Sequence, residues 1–180
     1  MSTLQPLPEI THHEKLPPGA KEIARIQMRH PKKLYTFIQY DNRLIIHTSR
    51  DAVIDGKPDY ICGQIDLPIG FLHWFPNALE NFRKPPSEGG LQAGKLVSPT
   101  QIVEGEELSI SRAMGDRAWP EKGPPPGYYI ENRSRLQHDF DDEPELKDPQ
   151  EMKFPESYLY NEGLLDFIKR LGDQYKAGLL

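Results

Sequence analysis

The segment RIQMRHPKKLYTFIQY, residues 25–40, places basic side chains directly before aromatic rings. Binding of single-stranded nucleic acid requires positive charge along a groove for the phosphates and flat ring faces on which bases stack. Both kinds of side chain occur here, in the order Arg25, Arg29, Lys32, Lys33, Tyr35 and Phe37. The segment therefore predicts a nucleic-acid contact on the surface that carries it.

Basic residues in later segments extend this prediction. Arg43 and Arg50 follow on the next predicted strand, and YYIENRSR places Tyr129, Arg133 and Arg135 on one face of a strand in the second half, with Arg112 nearby. Two alternatives stay open, because a half-buried sheet carries rings on its inner face and solvated charges on its outer face. Tyr35 and Phe37 could pack in a core, and the basic residues could simply be hydrated.

Other chemistries have less support in the sequence. The histidines show no metal-ligand spacing, and the chain has no CxxC, HExxH or EF-hand motif. Neither Gly89-Gly90 nor the loop GPPPG, residues 123–127, opens a helix after a strand, as a phosphate loop does. We therefore expect no metal, no cofactor and no catalytic activity. An enzyme with carboxylates assembled from distant positions is the remaining alternative.

Composition limits the partners and the compartment. The formal net charge is −5, so nucleic-acid binding must come from a local basic surface on an acidic molecule. Cys62 is the single cysteine, which favours a reducing compartment. Without a secretory signal or a long apolar run in the sequence, we expect a soluble, cytoplasmic protein with no membrane partner.

Hydrophobic patterning predicts strands followed by a helix. Strands are expected at 24–30, 34–41, 43–50 and 60–67, with a tight reversal at Asp41-Asn42. The apolar residues of 71–82 recur at helical spacing. Because Pro76 lies among them, either the helix starts near it or one helix bends there.

The second half repeats this order. Residues 108–110 can be aligned with 44–46, residues 129–130 with 60–61, and Phe154-Pro155 with Leu67-Pro68. A second helix follows, with Asn161 as its expected N-cap and an apolar face of Leu164, Ile168, Leu171 and Tyr175. The alternative is that two strand-then-helix units match by shared pattern alone.

We accordingly predict an α+β protein of two tandem antiparallel sheet-plus-helix (ββββα-like) units, packed as an intramolecular pseudo-dimer. The predicted divisions are an extended arm at 1–22, a first unit at 23–86, a linker at 87–100 and a second unit at 101–180. An acidic insertion at 138–150 explains why the repeat is hard to see.

This element order resembles that of the PC4, Pur-alpha and Whirly group of single-stranded nucleic-acid binders. The resemblance covers most of residues 24–175 and implies curved sheets presented to nucleic acid, with helices packed together between units. We expect a non-catalytic binder of single-stranded DNA more than RNA. The alternative is a protein-interaction or assembly subunit, with the 138–150 loop as a possible docking segment and homo-oligomers possible.

Overall fold

A computed structural model describes residues 3–138 and 148–180, and the first unit is a four-stranded antiparallel sheet, sheet I. Its strands follow chain order, so each is joined to the next by a hairpin. They are rich in β-branched and aromatic residues, which favour the extended conformation. The elements are β1 (Ala20–Arg29), β2 (Lys32–Tyr40), β3 (Arg43–Ile54), β4 (Lys57–Pro68) and then α1 (Phe71–Arg83).

The second unit is another four-stranded antiparallel sheet, sheet II, again in chain order and again followed by helices. Its first strand is short, and a helix of 5 residues precedes the long one. The elements are β5 (Gln101–Val103), β6 (Glu106–Ala113), β7 (Gly127–Leu136), β8 (Pro149–Pro155), α2 (Glu156–Tyr160) and α3 (Leu164–Lys176). The predicted α+β class with two tandem sheet-plus-helix units is confirmed.

The residue-level alignment of the two halves was partly wrong. Residues 108–110 lie in the second strand of sheet II, whereas residues 44–46 lie in the third strand of sheet I. The error arises because β5 is too short to leave an alternating pattern, so the predicted alignment skipped it. Phe154-Pro155 does correspond to Leu67-Pro68, since both pairs end the fourth strand and lead into a helix.

One hydrophobic core joins the two units. In sheet I the register places Phe37 opposite Ile46, and Ile46 opposite Ile65, so one face of the sheet is apolar. In sheet II, Ile110 lies opposite Ile130 in the same way. These inner faces and the helices contribute to a single buried cluster. Removal of this apolar surface from water is the main force holding the halves together.

Helix α1 contacts α3 through an unusually close approach at Gly172. Pro76 lies inside α1 and has no N–H, so it cannot bond the carbonyl of Leu72 four residues earlier. Gly172 packs against that carbonyl: an added Cβ would lie 2.8 Å from the Leu72 oxygen. The alternative of one helix containing Pro76 is the one observed.

The start of α3 corrects another prediction. Gly163, with φ of 83°, precedes the helix, and Asn161 instead ends α2. Leu164, Ile168 and Leu171 are buried as the spacing predicted, whereas Tyr175 is exposed. Only glycine adopts this left-handed conformation without strain, which explains why it occupies the junction between two helices.

The N-terminal arm lies on the outer face of sheet I, the face turned away from the helices. Ile10 is buried against Ile38 and Ile45, forming a second, smaller core. The Leu7 N–H donates to Asp66 Oδ2 at 2.8 Å, and the Ile10 N–H donates to Gln64 Oε1 at 2.8 Å. The arm is extended as expected, but it is fastened to β4 and contributes to the buried interior.

The predicted acidic insertion falls in the β7–β8 connection. Residues 139–147 of it lie outside the described residues, together with the docking role suggested for them. Across the described ranges, no helix is long and apolar enough to cross a membrane.

Candidate nucleic-acid interface

Four of the predicted basic residues gather at one end of sheet I, where β1 turns into β2. Arg29 pairs with Lys32 across the hairpin, and Lys33 lies opposite Met28 in the same register. Arg50 lies close enough to Lys33 to affect its ionisation. We call Arg29, Lys32, Lys33 and Arg50 the cationic cluster. Within the described part of the chain, none of these side chains forms an ion pair.

The surroundings of Lys33 disfavour its positive charge. Burial lowers its pKa below the usual value for lysine, and the positive charge of Arg50 lowers it further. Burial withdraws the ammonium from water and Arg50 repels it, so both effects disfavour the charged form. A bound anion would relieve this repulsion, so the cluster is electrostatically suited to a phosphate.

A groove of about 530 Å³ lies beside the cluster on the outer face of sheet I. We call it the outer groove. It occupies the end of the sheet that the N-terminal arm leaves uncovered. Its lining is mostly polar and comes from β1 to β4 and the arm: His13, Arg25, Gln27, Lys32, Leu34, Ser49, Arg50, Asp51 and Tyr60.

Ring faces border the outer groove, although they are not the rings that the sequence suggested. His12 stacks on Tyr60 with centroids 4.5 Å apart and planes inclined by 21°. The His13 N–H donates to the Tyr60 hydroxyl at 3.2 Å. The arm therefore fixes the position of a half-buried tyrosine at the groove edge.

The prediction that Tyr35 and Phe37 stack on bases is wrong. Both side chains have 0% relative exposure and lie in the core between sheet I and the helices. Tyr35 packs against Phe154 and Tyr158, and Phe37 packs against Phe167. Core packing, the alternative that the alternation of the strand left open, is what the structure shows.

Arg43 and Arg135 are structural rather than available for nucleic acid. Both form ion pairs with Glu106, whose side chain is fully buried, at 2.9 and 2.8 Å. The predicted grouping of Arg135 with Tyr129 and Arg133 is wrong, because a register shift between Asn132 and Leu136 interrupts the alternation. Arg135 is consequently only 4% exposed.

The other predicted arginines already have acidic neighbours. Arg25 makes two hydrogen bonds of 2.6 Å to Glu22, which raise the arginine pKa and lower the glutamate pKa. Arg112 bonds Glu156 at 3.2 Å and the Tyr128 hydroxyl at 2.8 Å. Arg133 is paired with Glu131. The positive charges of these three arginines are therefore largely balanced by neighbouring glutamates.

Tyr129 lies on the outer face of sheet II but in acidic surroundings. The ammonium of Lys153 lies 5.5 Å from its ring centroid. Glu151 occupies the same face, opposite Glu131 on the neighbouring strand. Burial raises the pKa of Glu151, and the negative charges of Glu131 and Asp148 raise it further. This face therefore disfavours phosphates.

A buried polar network centred on Asp66 links the two sheets. The Asp66 backbone N–H donates to Gln150 Oε1 at 2.7 Å, and Asn132 Nδ2 donates to the Asp66 carbonyl at 2.8 Å. Burial alone would raise the Asp66 pKa, but hydrogen bonds from His138, Gln150 and Gln64 outweigh it and lower the pKa. Asp66 has 0% relative exposure and its carboxylate is hydrogen-bonded, which indicates a structural role.

Sequence reasoning missed Tyr60, His12 and Trp119 as surface rings. Tyr60 sits two positions from Cys62 on a strand whose outer face could have been read by alternation. His12 gave no signal, because its stacking depends on where the arm docks. Among the described residues, no group of three or more His, Cys, Asp or Glu side chains could hold a metal ion.

No protein-family model matches the chain, and no curated protein sequence matches it. A crystal structure of trypanosome MRP1/MRP2 aligns over 92% of this chain and 89% of its own, with 13% identity and a TM-score of 0.37. That likeness is too weak to inform the fold or the function.

Proposed function

We propose that this protein binds single-stranded nucleic acid, DNA in the first instance, across the cationic cluster and the outer groove, without a catalytic step. The observation that carries the proposal is the clustering of Arg29, Lys32, Lys33 and Arg50 without ion pairs among the described residues. The element order shared with the PC4, Pur-alpha and Whirly group is a supporting argument.

The cluster suits a phosphate chain better than a single small anion. By the strand register, Arg29 and Lys32 lie on one face at this end of the sheet, and Lys33 and Arg50 lie on the other. A flexible strand that passes round this end can therefore meet cations on both sides. The groove beside them offers amide and hydroxyl groups from Gln27 and Ser49 and the ring of Tyr60. Phosphate contacts of this kind give affinity without sequence preference.

A single strand fits this surface better than a duplex. The outer groove is lined by residues of the arm and of all four strands of sheet I. Unpaired bases can turn towards such a lining, whereas the bases of a duplex are stacked inside. Rings and cations side by side are typical of single-strand platforms.

The direct test is fluorescence anisotropy of a labelled single-stranded oligonucleotide at two salt concentrations. The test variant is Lys32→Gln/Lys33→Gln/Arg50→Gln. Because each phosphate contact contributes about 0.7 to the salt slope of single-strand binding, losing three should lower that slope by about 2. Affinity at ~0.1 M salt should fall by about a hundredfold.

The matched control removes the same charge elsewhere. Lys21, Lys95 and Lys169 are exposed and lie away from the cluster, so Lys21→Gln/Lys95→Gln/Lys169→Gln should leave affinity within about threefold of wild type. Equal losses in both triple variants would show only a general effect of net charge. No salt-sensitive binding by the wild-type protein at micromolar concentration would rule out the proposal.

A further inference from the structure

The geometry points to a nucleobase-binding pocket between the two units, in which one unstacked base packs against Trp119 while its phosphates lie on the cationic cluster. The pocket rests on the proposed function, since its ligand is part of the same strand. It is separate from the outer groove and has a volume of about 520 Å³. Its lining is Arg29, His30, Trp119, Pro120, Ser157, Asn161 and Glu162.

Residues from both units form this pocket at a fixed junction. The Tyr158 hydroxyl on α2 donates to the Pro31 carbonyl in the β1–β2 turn at 2.7 Å. Glu162 accepts the backbone N–H of Arg29 at 2.9 Å. These bonds hold the turn that carries Arg29 and His30 against α2, so the pocket walls are preformed.

The loop that carries Trp119 is held by its own hydrogen bonds. The Asp116 N–H donates to the Pro124 carbonyl at 2.9 Å, and the Lys122 N–H donates to the Ala118 carbonyl at 3.1 Å. The indole of Trp119 meets Tyr158 edge-on, with centroids 6.3 Å apart and planes at 74°. The indole is thereby positioned without being fully buried, which leaves ring surface for a ligand.

Polar groups around the ring suit the edge of a base. The Asn161 amide supplies both a donor and an acceptor, the combination that pairs with nucleobase edges. The Ser157 hydroxyl is buried and has no hydrogen-bond partner among the described residues. Ser157 is also one of the residues that line the pocket. A buried polar group without a partner is uncommon and indicates a missing contact.

The phosphate side of the ligand is provided by the neighbouring cluster. Arg29 belongs both to the pocket lining and to the cationic cluster. The Arg50 charge acts on Tyr158, the residue against which Trp119 packs. A ring, an amide and an arginine thus line the same pocket. This combination favours a nucleotide of a flexible strand over an uncharged aromatic ligand.

Tryptophan fluorescence tests the pocket directly, because Trp74 and Trp119 are the two tryptophans of the chain. In Trp74→Phe, all tryptophan emission comes from Trp119. Oligothymidine should quench it, while an abasic oligonucleotide of the same length should bind, by anisotropy, without quenching. The difference between wild-type and Trp119→Phe emission reports the same quantity if Trp74→Phe folds poorly.

Affinity gives the second readout. Trp119→Phe should weaken oligothymidine binding by about fivefold and leave abasic binding unchanged, because stacking on the smaller ring is weaker. Trp74→Phe is the matched control and should change neither. Binding with unquenched Trp119 and unchanged Trp119→Phe affinity would overturn the pocket and leave the proposed function standing. An absence of any binding by anisotropy would overturn both.

Discussion

The exposed surfaces of the two sheets differ in how their charges are balanced. Sheet I ends in four cations without ion pairs among the described residues, beside a polar groove. On sheet II, Arg133 is paired with Glu131, and Glu151 is crowded by Glu131 and Asp148. The same architecture therefore presents opposite electrostatic surfaces.

The comparison shows that basic residues indicate a phosphate-binding surface only when they lack acidic partners. Five of the predicted contact arginines form ion pairs with glutamates: Arg25, Arg43, Arg112, Arg133 and Arg135. The carboxylate of an ion pair largely cancels the field of its cation, so the cation attracts a phosphate only weakly. Breaking the pair to bind a phosphate costs free energy. The net charge of −5 is thus compatible with one small, strongly positive surface.

The largest expected effect separates structural arginines from available ones. Glu106→Gln removes the buried charge shared by Arg43 and Arg135, leaving Arg135 buried without compensation. We expect the free energy of unfolding to fall by about 3–5 kcal/mol, measured by urea denaturation. Glu131→Gln, at the exposed pair of sheet II, should cost under about 1 kcal/mol. Similar losses for both variants would contradict the distinction.

The second effect concerns the part of sheet I that the arm covers. His47 is fully buried there, and burial lowers its pKa to about 4, with the Ile10 backbone partly offsetting this and the charges of His12 and His13 adding to it. The unfolded chain takes up this proton below about pH 6.5 and the folded chain does not. Stability should therefore fall by about 3 kcal/mol between pH 6.5 and pH 4.

His47→Gln supplies the control for that pH dependence. The variant lacks the titrating group, so its unfolding free energy should lose less on acidification than that of the wild type. Chemical denaturation at a series of pH values measures both slopes. Parallel slopes would show that the protonation of His47 does not differ between the folded and unfolded states. Other groups would then govern the response.

A third change would break the asymmetry between the sheets. Glu131→Lys/Glu151→Lys replaces the acids on the outer face of sheet II with cations and frees Arg133. Two added phosphate contacts should raise the salt slope of oligonucleotide binding by about 1.4 and the affinity by about tenfold. Unchanged binding would mean that the strand never reaches sheet II. Glu131→Gln/Glu151→Gln separates loss of acid from gain of base.

The smallest effect sharpens the boundary of the interface on sheet I. Glu22→Gln removes the partner of Arg25, which lines the outer groove. Oligonucleotide affinity should rise by about threefold, while stability changes by under about 1 kcal/mol because the pair is solvent-exposed. Anisotropy titration and urea denaturation measure the two quantities. An unchanged affinity would place Arg25 outside the strand's path.

The fold was largely predictable because its signals are local. The alternation in residues 34–50 gave β2, β3 and their reversal, and the spacing of Phe71, Phe75 and Leu79 gave the buried face of α1. Both patterns depend on burial of neighbouring side chains along one element. The short strand β5 offers too few residues for any such pattern.

The interface was only partly predictable because its determinants are distant in sequence. The residues next to Arg43 in sequence do not indicate that Glu106 forms an ion pair with it. Likewise, the residues next to Arg135 do not predict the register shift that buries it. Ile10 lies in an arm whose few apolar residues show no periodicity, yet it packs against Ile38 and Ile45 on the outer face of sheet I. The cationic cluster was foreseeable since three of its members lie within residues 29–33.

Gly172 has a consequence beyond the helix pair in which it sits. Each sheet is followed in the chain by its own long helix, α1 or α3. Strand β4 also contacts β8, where the Asp66 N–H donates to Gln150. A single methyl group at Gly172 would meet the Leu72 backbone and act as a wedge between α1 and α3. Separation of the two helices would then also disturb the contact between β4 and β8. Glycine at position 172, with only a hydrogen as its side chain, allows the α1–α3 contact and the β4–β8 contact to form together.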